Sequence, residues 1–221
     1  MRRVLVARCC LRTSSATTAA SNTLTTLPFS TLTHVSSDGR RAAMVDVGGK
    51  AVTRRDATAR CVVRFPAATL AALGVLDAST PSFSSSATTT AGCGEGSGAS
   101  AAESWQQRDL GNLSSKKGPI LTTAVVAGVM AAKKTSDLLP FCHPLPLDGV
   151  HVDLAWCAHD ALEVTCRAST THSTGVEMEA LTGASAAALC VYDMCKASSH
   201  DIRITDLELV AKSGGKRDFN R

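Results

Sequence analysis

The sequence predicts an α+β fold, with helices packed on one antiparallel sheet, and three observations carry that prediction. Two strand-like segments flank a short polar turn, as the arms of a hairpin do. Two longer segments are alanine-rich with helical spacing. Both periods mix within a length suited to a single domain, since domains mostly run about 100–200 residues. Of the 221 residues, the part expected to fold is 31–221, interrupted by an insert over 78–115.

Taken in order, residues 1–30 form the first unit. Arg2, Arg3, Arg8 and Arg12 precede a Ser- and Thr-rich stretch, and the first acidic residue is Asp38. Arginine-rich, serine-rich and acid-free is the composition of a mitochondrial presequence, which places the protein in the matrix. Arg8 breaks the apolar patch Val4–Leu11, against a secretory signal. RCVVRF (60–65) reads as a strand. The insert 78–115 contains PSFSSSATTTAGCGEGSGASAAES, too small and polar to bury apolar area against its ordering entropy, and is expected to be disordered. ILTTAVVAGVMAAKKT (120–135) and EMEALTGASAAALCVYDMCKA (177–197) are the helices, the second with Thr174 and Glu177 spaced as a capping box. VHVDLAW (150–156) and ALEVTCRAS (161–169) form the hairpin around CAHD, and DIRITDLELV (201–210) reads as a final strand pair that changes face between Ile204 and Leu207.

Composition excludes several classes. Aromatics are only 4%, so the core must be built from Ala, Val, Leu, Ile and Met, and bases would find few stacking platforms. The formal charge of +4 is weak support for a nucleic-acid surface. No apolar run is long enough for a membrane-spanning helix. Nine cysteines without a CxxC pair point to reduced thiols, neither a disulfide framework nor a zinc ribbon, and no metal site is expected.

Three constellations could do chemistry. Lys116, Lys117, Lys133, Lys134, Lys196, Lys212 and Lys216 cluster at element ends, where they either favour helix C-termini or grip a polyanion. His143, held between Cys142 and Pro144 in CHPLPL, is either a backbone-satisfied turn histidine or a general acid or base. Asp193 and Lys196, spaced i, i+3, share a helix face as a surface ion pair or as a proton-transfer pair. Glu177 and Glu179 lie in the first turn of the same helix, with Glu179 about 21 Å from Asp193. Both ends of that helix serve one pocket only if a second subunit contributes.

Four strings, LTHVSSDGRRAAMVDVGGKAVTRRDA (32–57), AGVMAAKKTSDLLPFCHPLPL (127–147), TGVEMEALTGASAAALCVYDMCKA (174–197) and AKSGGK (211–216), resemble the cyclic pyranopterin monophosphate synthase family of molybdenum cofactor biosynthesis. The resemblance implies a ferredoxin-like α+β subunit, assembled as a homohexamer (a trimer of dimers) with active sites between subunits. It implies a lyase converting (8S)-3′,8-cyclo-7,8-dihydroguanosine 5′-triphosphate to cyclic pyranopterin monophosphate and diphosphate. The upstream radical SAM GTP cyclase would supply that substrate, and neither nucleic acid nor membrane is a partner. The sequence calls for no cofactor and leaves a role for Mg²⁺ open.

Matched motif by motif, the resemblance makes Asp193 and Lys196 catalytic. It makes Phe141, Cys142, His143, Met178 and Glu179 substrate-binding, with Glu177 beside them. Arg55, Lys117 and Lys133 match basic pocket residues, and Lys212 and Lys216 match the closing lysines. The chain departs from the family pattern at Pro119 of KKGPI, at His172 and in the insert, all of which bear on the Lys117 loop. Two other classes are weighed against the enzyme: a catalytically silent assembly protein, and a polyanion- or RNA-binding module.

Overall fold

The computed structural model describes residues 41–75 and 113–221. The expected presequence lies outside the described residues, as does the expected insert apart from its last three residues. Those three belong to the fold: Leu113 is buried, and Ser114 and Ser115 form a short strand.

Strand β1 (Thr53–Arg64) sets the frame. Its odd-numbered residues Ala57, Ala59, Cys61 and Val63 are buried, while Arg60 and Arg64 point the other way, the period-two pattern of a strand with one covered face. Helix α1 (Ala67–Ala72) follows Pro66. Strands β2 (Ser114–Ser115) and β3 (Gly118–Pro119) form a small hairpin that runs directly into α2 (Ile120–Lys133). A short α3 (Thr135–Leu138) and an extended proline-bearing segment lead to β4 (Gly149–Ala158) and β5 (Ala161–His172). The long α4 (Glu177–Cys195), β6 (Arg203–Ser213) and β7 (Phe219–Asn220) complete the order.

The five-stranded sheet runs β4-β5-β1-β6-β7, with every neighbour antiparallel. With α2 between β1 and β4 and α4 between β5 and β6, the main elements read β-α-β-β-α-β, the ferredoxin-like arrangement. The predicted hairpin forms, turning through His159 and Asp160 with a bulge between Trp156 and Ala158.

Two local readings need correction. The segment from 201 to 210 is not a strand pair: from Arg203 onward it belongs to the single strand β6. Its change of face comes from a bulge opposite Arg60 and Val62, where Asp206 takes φ 55°. The capping box is also absent: α4 starts at Glu177, its N-cap is Val176, and no side chain caps it. Thr174 is therefore two residues outside the cap position, and Glu177 turns to a different partner.

The core lacks aromatic bulk, apart from Phe65 and Trp156, whose rings stand 5.8 Å apart. It compensates by close approach. Gly128 and Ala132 of α2 face Gly183 and Ala187 of α4, all buried. A Cβ on Gly128 would stand 2.9 Å from the Gly183 carbonyl oxygen and 3.2 Å from the Ala187 Cβ, so the two backbones nearly touch. Gly183 in turn faces Ala132, which makes the helices antiparallel. The start of α2 therefore lies by the end of α4, and Lys133 lies towards its beginning. Among the described residues no helix is long and apolar enough to cross a membrane.

Replacing Gly128 by Val should force α2 off α4 and off Val152 beneath it. The expected loss is about 1–3 kcal/mol of stability, seen as a lower thermal midpoint at fixed protein concentration. An unchanged midpoint would contradict this close packing.

Candidate active site

The structure separates the predicted site residues into two groups, one at each end of α4. At its C-terminal end the Asp193 carboxylate sits between two ammonium groups. Lys117 Nζ donates to it at 2.6 Å and also to the Asp193 backbone carbonyl at 3.0 Å. Lys196 Nζ stands 2.8 Å from its other oxygen, realising the i, i+3 pairing. All three side chains are about half exposed.

The hydrogen bonds from Lys117, then Lys196, hold the Asp193 carboxyl down to about 2. The same pairing raises the Lys196 ammonium above its ordinary value, with the Asp193 hydrogen bond as the main cause. In this arrangement Lys196 is a cation and a proton donor at neutral pH.

Lys117 reaches Asp193 because of the β2–β3 turn. Its backbone N–H donates to the Ser115 hydroxyl at 3.1 Å, and Ile120 N–H closes onto Leu113 at 2.9 Å. Pro119 stands just before α2, where the first-turn amides have no helical acceptor in any case. The departure from the family pattern at this position thus leaves Lys117 in the group. A cavity of about 650 Å³ opens here, lined by Ser114, Lys116, Lys117, Lys196 and His200 around Asp193.

The other end of α4 is drier. Glu179 is only 4% exposed. Burial pushes its carboxyl up from the ordinary 4.5 to about 7, with backbone hydrogen bonds opposing and the Glu177 charge adding. The Cys142 thiol is raised by burial and then by Glu179, so the segment Phe141–His143 passes this end of the helix. Glu177, freed from the cap, pairs with Lys212 of β6 at 3.0 Å. Arg55 donates to the backbone carbonyls of His172 and Ser173 at 3.3 and 3.4 Å, and Gly215 lies against its guanidinium. Phe141 and Met178 are exposed, as are the cations Lys133 and Lys216. His143 is half-buried in the same segment as Cys142.

Within one chain the structure does not bring Asp193 and Lys196 to Glu179. Among the described residues no three His, Cys, Asp or Glu side chains gather as a metal site requires. Sequence reasoning passed over Ser115, assigned to the insert, and His200, which lies four residues beyond Lys196. The clue to Ser115 was its place two residues before a lysine in a tight SSKKG turn; His200 had no sequence signal.

The Glu179 carboxyl has a measurable consequence. Its folded value lies above the unfolded one, so between about 4.5 and 7 the folded state holds a proton that the unfolded state lacks. Stability from this group is complete below about 4.5, falls as pH rises through that window and is flat above about 7. Glu179→Gln removes the dependence. Its unfolding free energy should gain on that of the parent from pH 5 to pH 8, by at most about 3 kcal/mol. Parallel pH profiles would contradict the burial.

With this geometry in hand, known proteins supply the family. The MoaC family matches residues 44–215. The cyclic pyranopterin monophosphate synthase of Xanthomonas oryzae pv. oryzae is 45% identical over 188 residues, covering 85% of this chain and 92% of the relative. Molybdenum cofactor biosynthesis protein 1 of Dictyostelium discoideum is 36% identical over 192 residues, 83% of this chain but 26% of that longer protein. A molybdenum cofactor biosynthesis bifunctional protein of Synechocystis sp. is 50% identical over 110 residues, 48% of this chain and 32% of that protein. The match spans β1 to β6 and every site residue above except Lys216, and the chain belongs to the MoaC family of molybdenum cofactor biosynthesis enzymes.

Proposed function

We propose that the chain converts (8S)-3′,8-cyclo-7,8-dihydroguanosine 5′-triphosphate to cyclic pyranopterin monophosphate and diphosphate, in a pocket built by two subunits. One observation carries the reading. The two groups that a guanine-derived triphosphate needs, a buried carboxyl and a cationic acid, stand at opposite ends of one helix, about 25 Å apart along its axis. A neighbouring subunit that brings its Glu179 end to the Lys196 end of the first would unite them, as in a homohexamer organised as a trimer of dimers.

In that pocket Glu179, titrating near neutrality, can accept from a guanine-type N–H and donate to the adjacent carbonyl. Lys117, Lys133, Lys212, Lys216 and Arg55 supply cations for the triphosphate, whose charge single lysines suit as compact point partners. Closing the cyclic phosphate requires a sugar hydroxyl to lose its proton as it attacks the first phosphorus, with diphosphate leaving. Lys196, held protonated by Asp193, is the acid of the sequence, and Asp193 orients it. His143 is the group suited to take a proton. A radical SAM GTP cyclase upstream supplies the substrate, and the acid-free residues 1–30 support a mitochondrial matrix location.

The test follows diphosphate release and pterin fluorescence after oxidation, with the cyclised triphosphate as substrate. Lys196→Ala and Glu179→Ala should each lower kcat/KM at least about 100-fold. When the two inactive chains are unfolded, mixed equally and reassembled, about a quarter of the sites should be intact if each site takes one end from each subunit. No recovery in a reassembled mixture would overturn the shared pocket, and full activity of Lys196→Ala would overturn its role as acid.

A further inference from the structure

The stretch from Lys212 to Arg221 folds back on β6, and its contacts converge on one backbone turn. Gly214 has φ 79°, the left-handed region that favours glycine. A Cβ there would overlap the Arg54 carbonyl oxygen, so the turn rests directly on the β1 backbone. From the β1 side, Thr53 Oγ1 donates to the Gly214 carbonyl at 2.8 Å. From the opposite side, the Gly214 N–H donates to the Asp218 carboxylate at 3.1 Å.

The residues after Asp218 hold that carboxylate in place. Phe219 and Asn220 pair with Lys212 and Ala211, and the Arg221 backbone N–H donates to the Val210 carbonyl at 3.0 Å. The Arg221 guanidinium pairs with Glu208 and lies 5.5 Å from the centre of the Phe219 ring. On its inner side the turn carries two groups of the site: Lys212 on Glu177, and Gly215 beside the Arg55 guanidinium. Two successive glycines lose more freedom on ordering than any other pair, so a turn fixed before substrate arrives lowers the cost of binding. The family match ends at residue 215, so nothing in it accounts for Asp218 or Arg221.

We propose that Asp218 is a positioning residue for substrate binding. It acts through Gly214 on Lys212 and Arg55, with Phe219–Arg221 as the clasp that keeps its carboxylate on the turn. The proposal rests on Lys212 and Arg55 being substrate-binding, and the experiment separates the two claims.

Asp218→Ala, Asp218→Asn and Lys212→Ala are compared in the full chain, with the cyclised triphosphate as substrate. Amide exchange at Gly214 is followed without substrate. Asp218→Ala should raise KM about five- to tenfold while kcat stays within about twofold, and should speed Gly214 exchange. Asp218→Asn, which keeps an oxygen acceptor, should restore both. A purely structural role would not give this split or this rescue. If Lys212→Ala raises KM while Asp218→Ala leaves it unchanged, the positioning role is overturned and the substrate reading stands. If Lys212→Ala also leaves KM unchanged, the substrate reading fails. Asp218 is then judged on Gly214 exchange alone: faster exchange keeps it as the residue that fixes the turn, and unchanged exchange overturns it.

Discussion

The near-contact of the α2 and α4 backbones is the constraint on which the rest of the molecule depends. With few aromatics to fill space, the layer above the sheet is closed by alanine and glycine, whose small side chains let carbonyl oxygens and Cα atoms stand in van der Waals contact. Such an interface gains little from each side chain buried and much from fit, so it tolerates few substitutions. It also fixes direction. Because the helices are antiparallel and locked at Gly128 and Gly183, the β2–β3 turn is delivered to the end of α4 and Lys133 to its beginning.

The two ends of α4 then put the same functional group to opposite uses. Asp193 is half exposed between two lysines and stays ionised far below neutrality. Glu179 is buried on the first turn and is pushed to the neutral range. Burial disfavours a charge and a paired cation favours it, so environment alone distinguishes a charge-holding carboxylate from a proton-exchanging one. Three buried thiols show the same effect of burial without a paired cation. Cys61, Cys166 and Cys195 are buried, with thiols pushed up to between about 11 and 12, which keeps them protonated and unreactive.

An ion pair and two guanidinium hydrogen bonds do the positioning at the dry end. Glu177 has no cap partner and reaches Lys212, while Arg55 donates to the carbonyls at the end of β5. These contacts tie three parts of the chain to the helix start: β1, the β5 exit and the β6–β7 turn. The site thus inherits its geometry from the sheet.

Much of this was legible in the residues. Period-two and helical spacing fixed the class of each long element, because side-chain direction repeats locally in both. The i, i+3 spacing of Asp193 and Lys196 placed them on one face for the same reason. The length of α4, counted in residues, already implied that its two ends could not share a pocket within one subunit. What the tertiary structure alone decided is every relation between distant segments. Lys117 meets Asp193 across 76 residues of chain, Glu179 loses its water to packing, and a bulge at Asp206 turns an apparent strand pair into one strand. Local patterns encode the direction in which a side chain points; only the packing of whole elements determines what it meets there.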